Sequence, residues 1–575
     1  MNIRKIATRA TATVAGLLLL GIVLVLVIDL GVFQTRIEKV VSESLGREVS
    51  FDDGLHVNLF PKPKVRAAGV RVSNPDWAAA DNFLHADKLY LEFDFWSAVS
   101  PPFRIVKLSI EGLTLDIQTQ KDGGGNWPTG SESSSKDETS SGELSDSLLL
   151  GNIAVSDLRI TYRDTEAAEV AVDVTGDISL EQVTAENVRG DFALAVDGPM
   201  LAGQLAALGG GPLEAQSNLS LHARKSGLDL ELGALELAVG KSDLSGNIEL
   251  SLAETTVVVA ELGSEIISLV DSDEQEGAAP AEGLVFSENA DLFDAVLDFP
   301  AEIRLDLNVK EVRKADVTSA SDINVSVQLQ PGKFTIKPLQ ASINGGSVMG
   351  SLAITSTSDA GTMVLELSAQ DLRMAATPDA AGDGHSEPPA DLSIAISGSG
   401  RTPHGVAASA NGSISIDIGS GRSTQGDVGF LANDVLAEMF SAVGPDEGEI
   451  PFTDVECGIV RATIEDGKAD VATILIKTSD LVITGSGKIE LETESIDIGF
   501  NTKAREGLGI AAAGLVTPFV KLGGSLRSPA VAIDAPSALL AGGLAVVTGG
   551  ASLLGKEVLD RVASEVADCS PADIP

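Results

Sequence analysis

Alternation of apolar and polar residues is the feature that most limits how this chain can fold. In the segment 104–118, every second side chain is apolar, and the phase of the pattern changes at Gly112. Because successive side chains of a strand point to opposite faces, the pattern predicts strands with one apolar face. A change of phase at glycine indicates a tight turn or a β-bulge that leaves the apolar residues on one side.

The same alternation recurs along most of the chain, whereas helical periodicity is scarce. It is found in the following sets: Leu158, Ile160 and Tyr162; Leu228, Leu230 and Leu232; Ile303, Leu305 and Leu307; Ile474 and Ile476; Ile489 and Leu491; Ile496, Ile498 and Phe500. The predicted fold is therefore mainly β, with about 20 strands and a few amphipathic helices. One helix is predicted over 427–443, where an apolar stripe would pack on a sheet or act as a gate or membrane-contacting element. A short helix over 35–45 would end at Gly46.

Charge and composition exclude some functions. The 575 residues carry 83 acidic and 40 basic side chains, a formal net charge of −43, which opposes binding to nucleic-acid phosphates. Hydrophobic residues make up 44%, too many for a disordered acidic chain, yet only 4% are aromatic. The apolar surfaces must therefore consist mainly of aliphatic side chains.

The N-terminus contains a basic cluster followed by an apolar run. Residues 10–33 approach the length of about 20 residues that a helix needs to cross a bilayer, and the run contains Val14, Leu17, Leu18, Leu19, Leu20, Ile22, Val23, Leu24, Val25, Leu26, Val27 and Ile28. The alternatives are a cleaved signal, for which no small-residue cleavage site follows the run, and a buried helix. The basic cluster predicts a cytoplasmic N-terminus, so the bulk of the chain would be periplasmic in a Gram-negative cell.

Motifs for catalysis or metal binding are missing from the sequence. It has no H-E-x-x-H, paired C-x-x-C or G-x-S-x-G, and its five histidines are scattered. We therefore expect no enzyme activity, no catalytic residue, no metal and no cofactor. Cys457 and Cys569 are the two cysteines, and in an oxidising compartment they would either form a disulfide or remain two unpaired thiols.

Several short motifs resemble the AsmA family of envelope proteins. They are Gly46-Arg47 before a strand at Val49–Phe51; Pro75-Asp76-Trp77; Gly112-Leu113 with Gly125-Asn126-Trp127; Pro338-Leu339 with Asn344-Gly345-Gly346-Ser347-Val348; Gly467 with Thr484-Gly485-Ser486-Gly487-Lys488-Ile489; and Thr517-Pro518-Phe519 with Gly523-Gly524-Ser525-Leu526 and Pro529. The resemblance covers both ends well and residues 150–290 weakly. Its motifs mark a fold and no catalytic site.

The sequence pattern and the resemblance together divide the chain into seven regions. These are a cytoplasmic N-terminus (1–9), a transmembrane anchor (10–33), an AsmA-like N-terminal β region (34–119), a mobile loop rich in serine, glycine and acidic residues (120–146), a middle β-groove region (147–289), an AsmA-like C-terminal β region (290–534), and an apolar and amphipathic tail (535–575). The tail would span a membrane, cover the end of a groove or lie on a membrane, or pack on the protein. Two further polar stretches, 271–283 and 375–390, are expected to be long loops.

Alternation alone favours a sandwich or barrel core, because most half-apolar sheets pack on another sheet. The AsmA family resembles bridge-like lipid-transfer proteins, so the resemblance instead implies an elongated, curled antiparallel sheet with an open hydrophobic groove. The expected lining residues are Val106, Leu108, Ile110, Leu113, Leu115, Ile117, Leu228, Leu230, Leu232, Ile474, Ile476, Ile489, Leu491, Ile496 and Ile498.

The expected function is a part in outer-membrane biogenesis, in which a protein anchored in the inner membrane carries phospholipid acyl chains along the groove. Phospholipid, the inner membrane and outer-membrane or periplasmic proteins are the expected partners. The alternative is an envelope scaffold that assists outer-membrane protein assembly through protein contacts and fills the same apolar face with its own core.

Overall fold

The computed structural model describes most of the chain and divides it into two compact units. It describes residues 39, 42, 46–52, 54–58, 62–94, 103–119, 125–127, 148–163, 170–181, 183–184, 186–224, 226–270, 284–289, 291–314, 317–373, 387–424, 452–479, 481–504 and 520–533. Unit 1 comprises residues 1–206 and 210–240, and unit 2 comprises 207–209 and 241–575. The described part contains 26 strands, so the prediction of a mainly β chain is confirmed.

Unit 1 contains ten strands in one series of pairings. They are β1 (Val49–Phe51), β2 (Leu55–Asn58), β3 (Lys64–Ser73), β4 (Asn82–Phe93), β5 (Phe103–Gln118), β6 (Leu148–Arg163), β7 (Val170–Glu181), β8 (Asn187–Asp197), β9 (Leu213–Arg224) and β10 (Gly227–Val239). Helix α1 (Pro199–Leu205) and a 3-10 turn (Ala206–Leu208) follow β8. Both β1 and β2 pair with β3, and each later strand pairs with the next one up to β10.

Unit 2 contains the remaining strands and two helices. They are β11 (Ser242–Leu252), β12 (Thr256–Leu269), α2 (Asp291–Leu297), β13 (Ala301–Lys314), β14 (Val317–Gln330), β15 (Lys333–Ile343), β16 (Gly346–Ser356), β17 (Gly361–Leu372), β18 (Ala390–Gly400), α3 (Pro403–Ala408), β19 (Asn411–Ile418), β20 (Gly421–Thr424), β21 (Phe452–Glu465), β22 (Lys468–Thr478), β23 (Leu481–Glu490), β24 (Ser495–Ala504), β25 (Val520–Gly524) and β26 (Pro529–Ile533). Each strand pairs with the next, except that β19 and β20 both pair with β21.

The predicted antiparallel pairing is found between the described strands except at two places, since β5 and β6 are parallel, as are β12 and β13. Parallel neighbours need a crossover of a dozen or more residues, because the chain must return to the same end of the sheet. The polar stretches 120–146 and 271–283 lie at these two places in the sequence. They belong to crossovers and not to connections between antiparallel strands.

The change of phase at Gly112 is a kink within one strand. Strand β5 continues for 16 residues through this position, and Gly112 has φ 67°. Only glycine adopts that conformation without steric cost, and a side chain would also collide with the Asp87 carboxylate, 2.2 Å from an added Cβ. The register with β4 is the same on both sides of Gly112, since Ala86 pairs with Leu113 and Lys88 with Glu111. The apolar residues Ile110 and Leu113 share one hydrophobic cluster as predicted, but neither a turn nor the extra residue of a β-bulge produces the change of phase.

Other predictions can be compared with the described residues only in part. Lys39 and Ser42 are helical and Gly46 has φ 64°, in agreement with the short helix predicted over 35–45 and its end at Gly46. Leu491 lies in a turn, one residue beyond β23. The predicted anchor (10–33), the helix over 427–443, the tail (535–575) and most of the stretches 120–146, 271–283 and 375–390 lie outside the described residues. None of the helices that the structure describes is long and apolar enough to cross a membrane.

Candidate functional site

Unit 1 has an apolar face that continues from strand to strand. Residues that pair directly across a sheet point to the same side, so the register defines rows of side chains that run across the strands. One row contains Leu55, Ala67, Leu89, Ile110, Val155, Ile178 and Phe192. A second row contains Val57, Val65, Leu91, Leu108, Ile153, Leu180, Gly190, Leu219 and Leu232, and it crosses all nine strands from β2 to β10.

The apolar face of unit 1 is only half covered. Every side chain in the second row is half-buried, and in the first row only Leu55 and Ala67 are buried. The alternate residues on β8, such as Arg189 and Asp191, are exposed. A face that packs on another layer loses nearly all its accessible surface, so these rows retain apolar area that a guest molecule could cover.

The predicted lining residues of unit 1 lie on this face. Leu108, Ile110, Leu113, Leu115 and Ile117 follow one another along β5 on the two sides of Gly112, and all but the buried Leu113 are half-buried. On β10, Leu230 and Leu232 pair with Leu221 and Leu219, and Leu228 pairs with Ala223. Val106, at the start of β5, is 41% exposed. The structure thus brings these nine residues to one side of one sheet.

A shallow hollow of about 690 Å³ lies over β6–β10 of the same unit, and sequence reasoning missed it. Most of its lining residues, among them Asp177, Asp191 and Glu236, alternate with the apolar rows, but Val155, Ile178 and Phe192 of the first row also line it. None of the predicted lining residues takes part in it. Among the described residues, no cluster of His, Cys, Asp or Glu could hold a metal ion.

Unit 2 has apolar rows of the same kind from β13 to β19. One row contains Leu305, Val327, Ile336, Leu352, Leu365 and Ile396, and the next contains Leu307, Val325, Leu339, Gly350, Leu367, Ile394 and Ile414. All of these residues are half-buried.

The later strands of unit 2 differ, because their apolar side chains are buried. The predicted lining residues Ile474, Ile496 and Ile498 are 9%, 7% and 6% exposed, and they form a core together with Ile483 and Phe500. Ile476 and Ile489 pack against this core. On the opposite face, Ile459 and Leu475 are each 2% exposed. Strands β21–β23 are therefore covered on both sides, and these predicted lining residues serve as core in this structure.

Two short helices cover one end of the apolar face on β14–β18. Phe293 and Val296 of α2 and Val406 of α3 pack on Ile354, with Phe334 and Met363 beside them. The strands approach the helices so closely that a Cβ at Gly361 would lie 2.1 Å from the Phe293 ring, and one at Gly398 would lie 2.4 Å from the Val406 carbonyl oxygen. Glycine at these two places is required by the close approach and not by a turn.

The segment that leads into α2 is held by side chains from distant parts of unit 2. We call residues 284–289 together with α2 the strap. Glu494 is fully buried, and its carboxylate accepts hydrogen bonds from the backbone N–H groups of Val285 (2.6 Å) and Phe286 (2.7 Å). Arg527 donates to the Leu284 carbonyl oxygen at 2.8 Å, and the His404 N–H donates to the Ser287 carbonyl oxygen at 3.0 Å. The strap is therefore fixed by polar contacts at its start and by apolar contacts at its end.

The Glu92 carboxyl has a shifted pKa near the end of β4, a strand that pairs with both β3 and β5. The Tyr90 hydroxyl donates a 2.9 Å hydrogen bond to Glu92, and the Lys62 ammonium lies 3.2 Å from the same carboxylate. The hydrogen bond from Tyr90, with help from Lys62, holds the pKa of Glu92 below its usual value.

A buried asparagine joins two of the motifs singled out in the sequence. Asn126 is fully buried, and its Oδ1 accepts a hydrogen bond from the Gln118 N–H at 2.8 Å. Its Nδ2 donates to the Asp116 carbonyl oxygen (2.6 Å) and to Asn74 Oδ1 (2.9 Å). Because Asn74 immediately precedes Pro75-Asp76-Trp77, this side chain connects that motif to Gly125-Asn126-Trp127. The sequence identified the motifs, but not the contact between them.

The comparison with known families agrees with this architecture. The model of the AsmA family matches residues 2–261 and 270–473, which is most of the chain. The chain belongs to the AsmA family. The match includes residues 150–261, where the short motifs gave only a weak resemblance, so the apolar rows of unit 1 lie wholly within the AsmA match. No curated protein sequence matches this AsmA-family chain.

Proposed function

We propose that this AsmA-family protein carries phospholipid acyl chains on its apolar faces during outer-membrane biogenesis. Residues 10–33 would anchor it in the inner membrane with the N-terminus in the cytoplasm, and the two units would lie in the periplasm. Membership of the family supports a role in the cell envelope. The lipid cargo, the anchor and the compartment are parts of the proposal.

The observation that carries the proposal is the half-buried row that crosses β2–β10 of unit 1. Apart from Gly190, its members carry aliphatic side chains; they are in register, and no charged residue interrupts them. Covering an acyl methylene is worth about 0.8 kcal/mol, and an aliphatic surface offers that gain almost equally at every position. A chain could therefore be held and could still move along the row.

The lipid headgroup needs no charged pocket in this arrangement. The other face of the same strands carries exposed side chains such as Asp191 and Glu231, which keep a wide sheet soluble. Headgroups could remain in water at the edge of the apolar face while only the acyl chains lie against the sheet.

A matched pair of neighbouring residues on β7 tests the proposal. Ile178 lies in the first apolar row and is half-buried, whereas Ser179 is exposed on the opposite face. The photo-crosslinking residue benzoyl-phenylalanine is placed at either position in the full-length protein, which is irradiated in cells and analysed by mass spectrometry. We expect covalently bound phospholipid from position 178 and little from position 179.

The corresponding charge substitutions complete the test. Ile178→Asp should reduce co-purified phospholipid, and Ser179→Asp, which adds the same charge, should leave it unchanged while both variants stay folded by circular dichroism. Equal crosslinking at the two positions, or no bound lipid in the wild-type protein, would contradict the proposal.

The alternative is a scaffold that assists outer-membrane protein assembly. The burial of both faces of β21–β23 favours it in that part of unit 2, because a face filled by the protein's own side chains has no room for lipid. Stoichiometric phospholipid in a gently purified preparation distinguishes the two functions, since only a carrier should contain it.

A further inference from the structure

Two exposed tryptophans lie at the end of unit 1 where the chain enters the sheet. Trp77 is 40% exposed and Trp127 is 41% exposed, and the whole sequence has only three tryptophans. Trp77 lies in the loop between β3 and β4, and Trp127 lies beyond the end of β5. Strand β1 begins at the same end, since Val49 pairs with Val72.

A network of hydrogen bonds fixes both tryptophan-bearing segments to the sheet. Asn126 connects them through Asn74, as described above, and Gln118 Oε1 also accepts the Ala79 N–H at 2.9 Å. Below the network, Arg163 and the buried Asp116 form an ion pair of 2.9 Å. The two tryptophan-bearing segments are thus fixed to the sheet, and each tryptophan keeps about 40% of its surface exposed.

The same network is connected to the chain that leads toward the predicted anchor. The Arg47 guanidinium donates to the Asn126 carbonyl oxygen at 3.3 Å, and Ser42 accepts hydrogen bonds from the N–H groups of Arg47 and Val49. Thirteen residues, 34–46, separate the predicted anchor from Arg47. They span about 20 Å as a helix and at most about 45 Å when extended, so an anchored chain keeps this end of unit 1 near the bilayer.

The chemistry of these segments favours a neutral lipid surface. Tryptophan concentrates at the level of the lipid headgroups, because its ring is apolar and its N–H needs a polar partner. The neighbouring exposed residues Asp76 and Asp81 are acidic and would oppose binding to anionic lipid. A surface that attracts through indole rings and repels through carboxylates fits zwitterionic phospholipid.

We propose that Trp77 and Trp127 form a tryptophan platform that rests in the headgroup layer of the bilayer holding the anchor. This inference depends on the anchor in the proposed function. The platform would fix this end of the first strands of unit 1 against the membrane. The platform gives a membrane-contact role to two residues that take no part in the apolar rows.

Fluorescence quenching in vesicles tests the platform. The full-length protein is reconstituted into vesicles of phosphatidylcholine and phosphatidylethanolamine, with bromine atoms placed on the acyl chains either near the headgroup or near the methyl end. Trp96→Phe combined with Trp127→Phe leaves Trp77 as the single reporter, and Trp96→Phe combined with Trp77→Phe leaves Trp127. We expect each reporter to lose intensity with bromine near the headgroup and much less with bromine near the methyl end.

A control reporter lies at the other end of the same strand. In a chain without its three tryptophans, Arg104→Trp places an exposed indole on β5 about 46 Å from Gln118, and bromine should not quench it. Resistance to alkaline extraction tests the anchor separately. A protein that stays in the membrane while Trp77 and Trp127 are quenched no more than the control would overturn the platform, whereas loss of the protein on extraction would overturn the anchor and, with it, the platform.

Discussion

Replacing Glu494 by alanine should release the strap from unit 2. The side chain is fully buried and accepts two backbone hydrogen bonds, at 2.6 Å and 2.7 Å. Hydrogen bonds to a charged group are worth about 1.5–3 kcal/mol each. Val285 is 47% exposed, so water can replace part of what is lost at its N–H. We therefore expect a local loss of about 3 kcal/mol, near the lower end of the combined range.

Hydrogen exchange measured by mass spectrometry gives the local free energy directly. A loss of about 3 kcal/mol corresponds to roughly 100-fold faster exchange. The effect should be confined to amides of 284–289 and α2, because the contacts of the strap are distinct from the strand pairings of unit 2. Exchange in β5 of unit 1 should not change and serves as the internal reference.

Glu492→Ala is the matched control, since Glu492 is an exposed glutamate in the same turn. It should leave exchange of the strap within about twofold of the wild-type rate, as expected for a surface substitution worth less than 0.5 kcal/mol. If Glu494→Ala leaves the strap equally protected, the two hydrogen bonds do not hold it and the reasoning is wrong. If both variants accelerate exchange equally, the shape of the turn and not the carboxylate is responsible.

Three further substitutions test unit 1. Gly112→Ala should lower the free energy of unfolding by at least about 1–2 kcal/mol, measured in urea, because alanine is strained at φ 67°. Gly233→Ala is the control, because its added Cβ would meet nothing within 4 Å. Asn126→Ala should cost about 3 kcal/mol in the same measurement and speed exchange of the loop before β4, since it leaves several buried polar groups without partners. Tyr90→Phe should raise the pKa of Glu92 toward its ordinary value in an NMR titration, so the variant should lose less stability than the wild type as pH falls through the acidic range.

Local patterns were sufficient to predict the strands and the apolar side that they share. The period of two in 104–118 reports directly which side chains share a face, and the glycine marks where the phase changes. The pattern of one segment did not reveal the cause of that change. Strand β4 changes phase at the same level, since Ala86 pairs with Leu113 and Leu89 with Ile110, so the two strands stay in register without a turn or an extra residue.

Long-range contacts were beyond the reach of these patterns. Glu494 is 208 residues from Phe286, and nothing in its own turn distinguishes it from the exposed Glu492. The parallel pairing of β5 with β6 likewise depends on where the chain returns after residues 120–147. By contrast, the sequence does indicate the burial of β22. Ile474-Leu475-Ile476 is a continuous apolar run, which is typical of a strand covered on both faces. The predicted lining contained only Ile474 and Ile476, the alternate members of this run.

The difference between half-buried and buried rows is the physical distinction on which the proposed function depends. Both kinds of row look alike in sequence, because a side chain that waits for a guest and one that packs on its own protein are equally aliphatic. In unit 1 the row from Val57 to Leu232 crosses nine strands without meeting a covering layer among the described residues, whereas in unit 2 the row that contains Ile498 is part of a closed core. A carrier binds lipid more tightly when its apolar rows are open, since an acyl chain then supplies the missing contacts. A core is more stable when its rows are closed by the protein's own side chains. Under the proposed function, lipid binding should therefore follow the exposure of each row and not its composition: we expect lipid against the half-buried rows of β2–β10 and against those of β13–β19 beyond the two covering helices, and not against β21–β24.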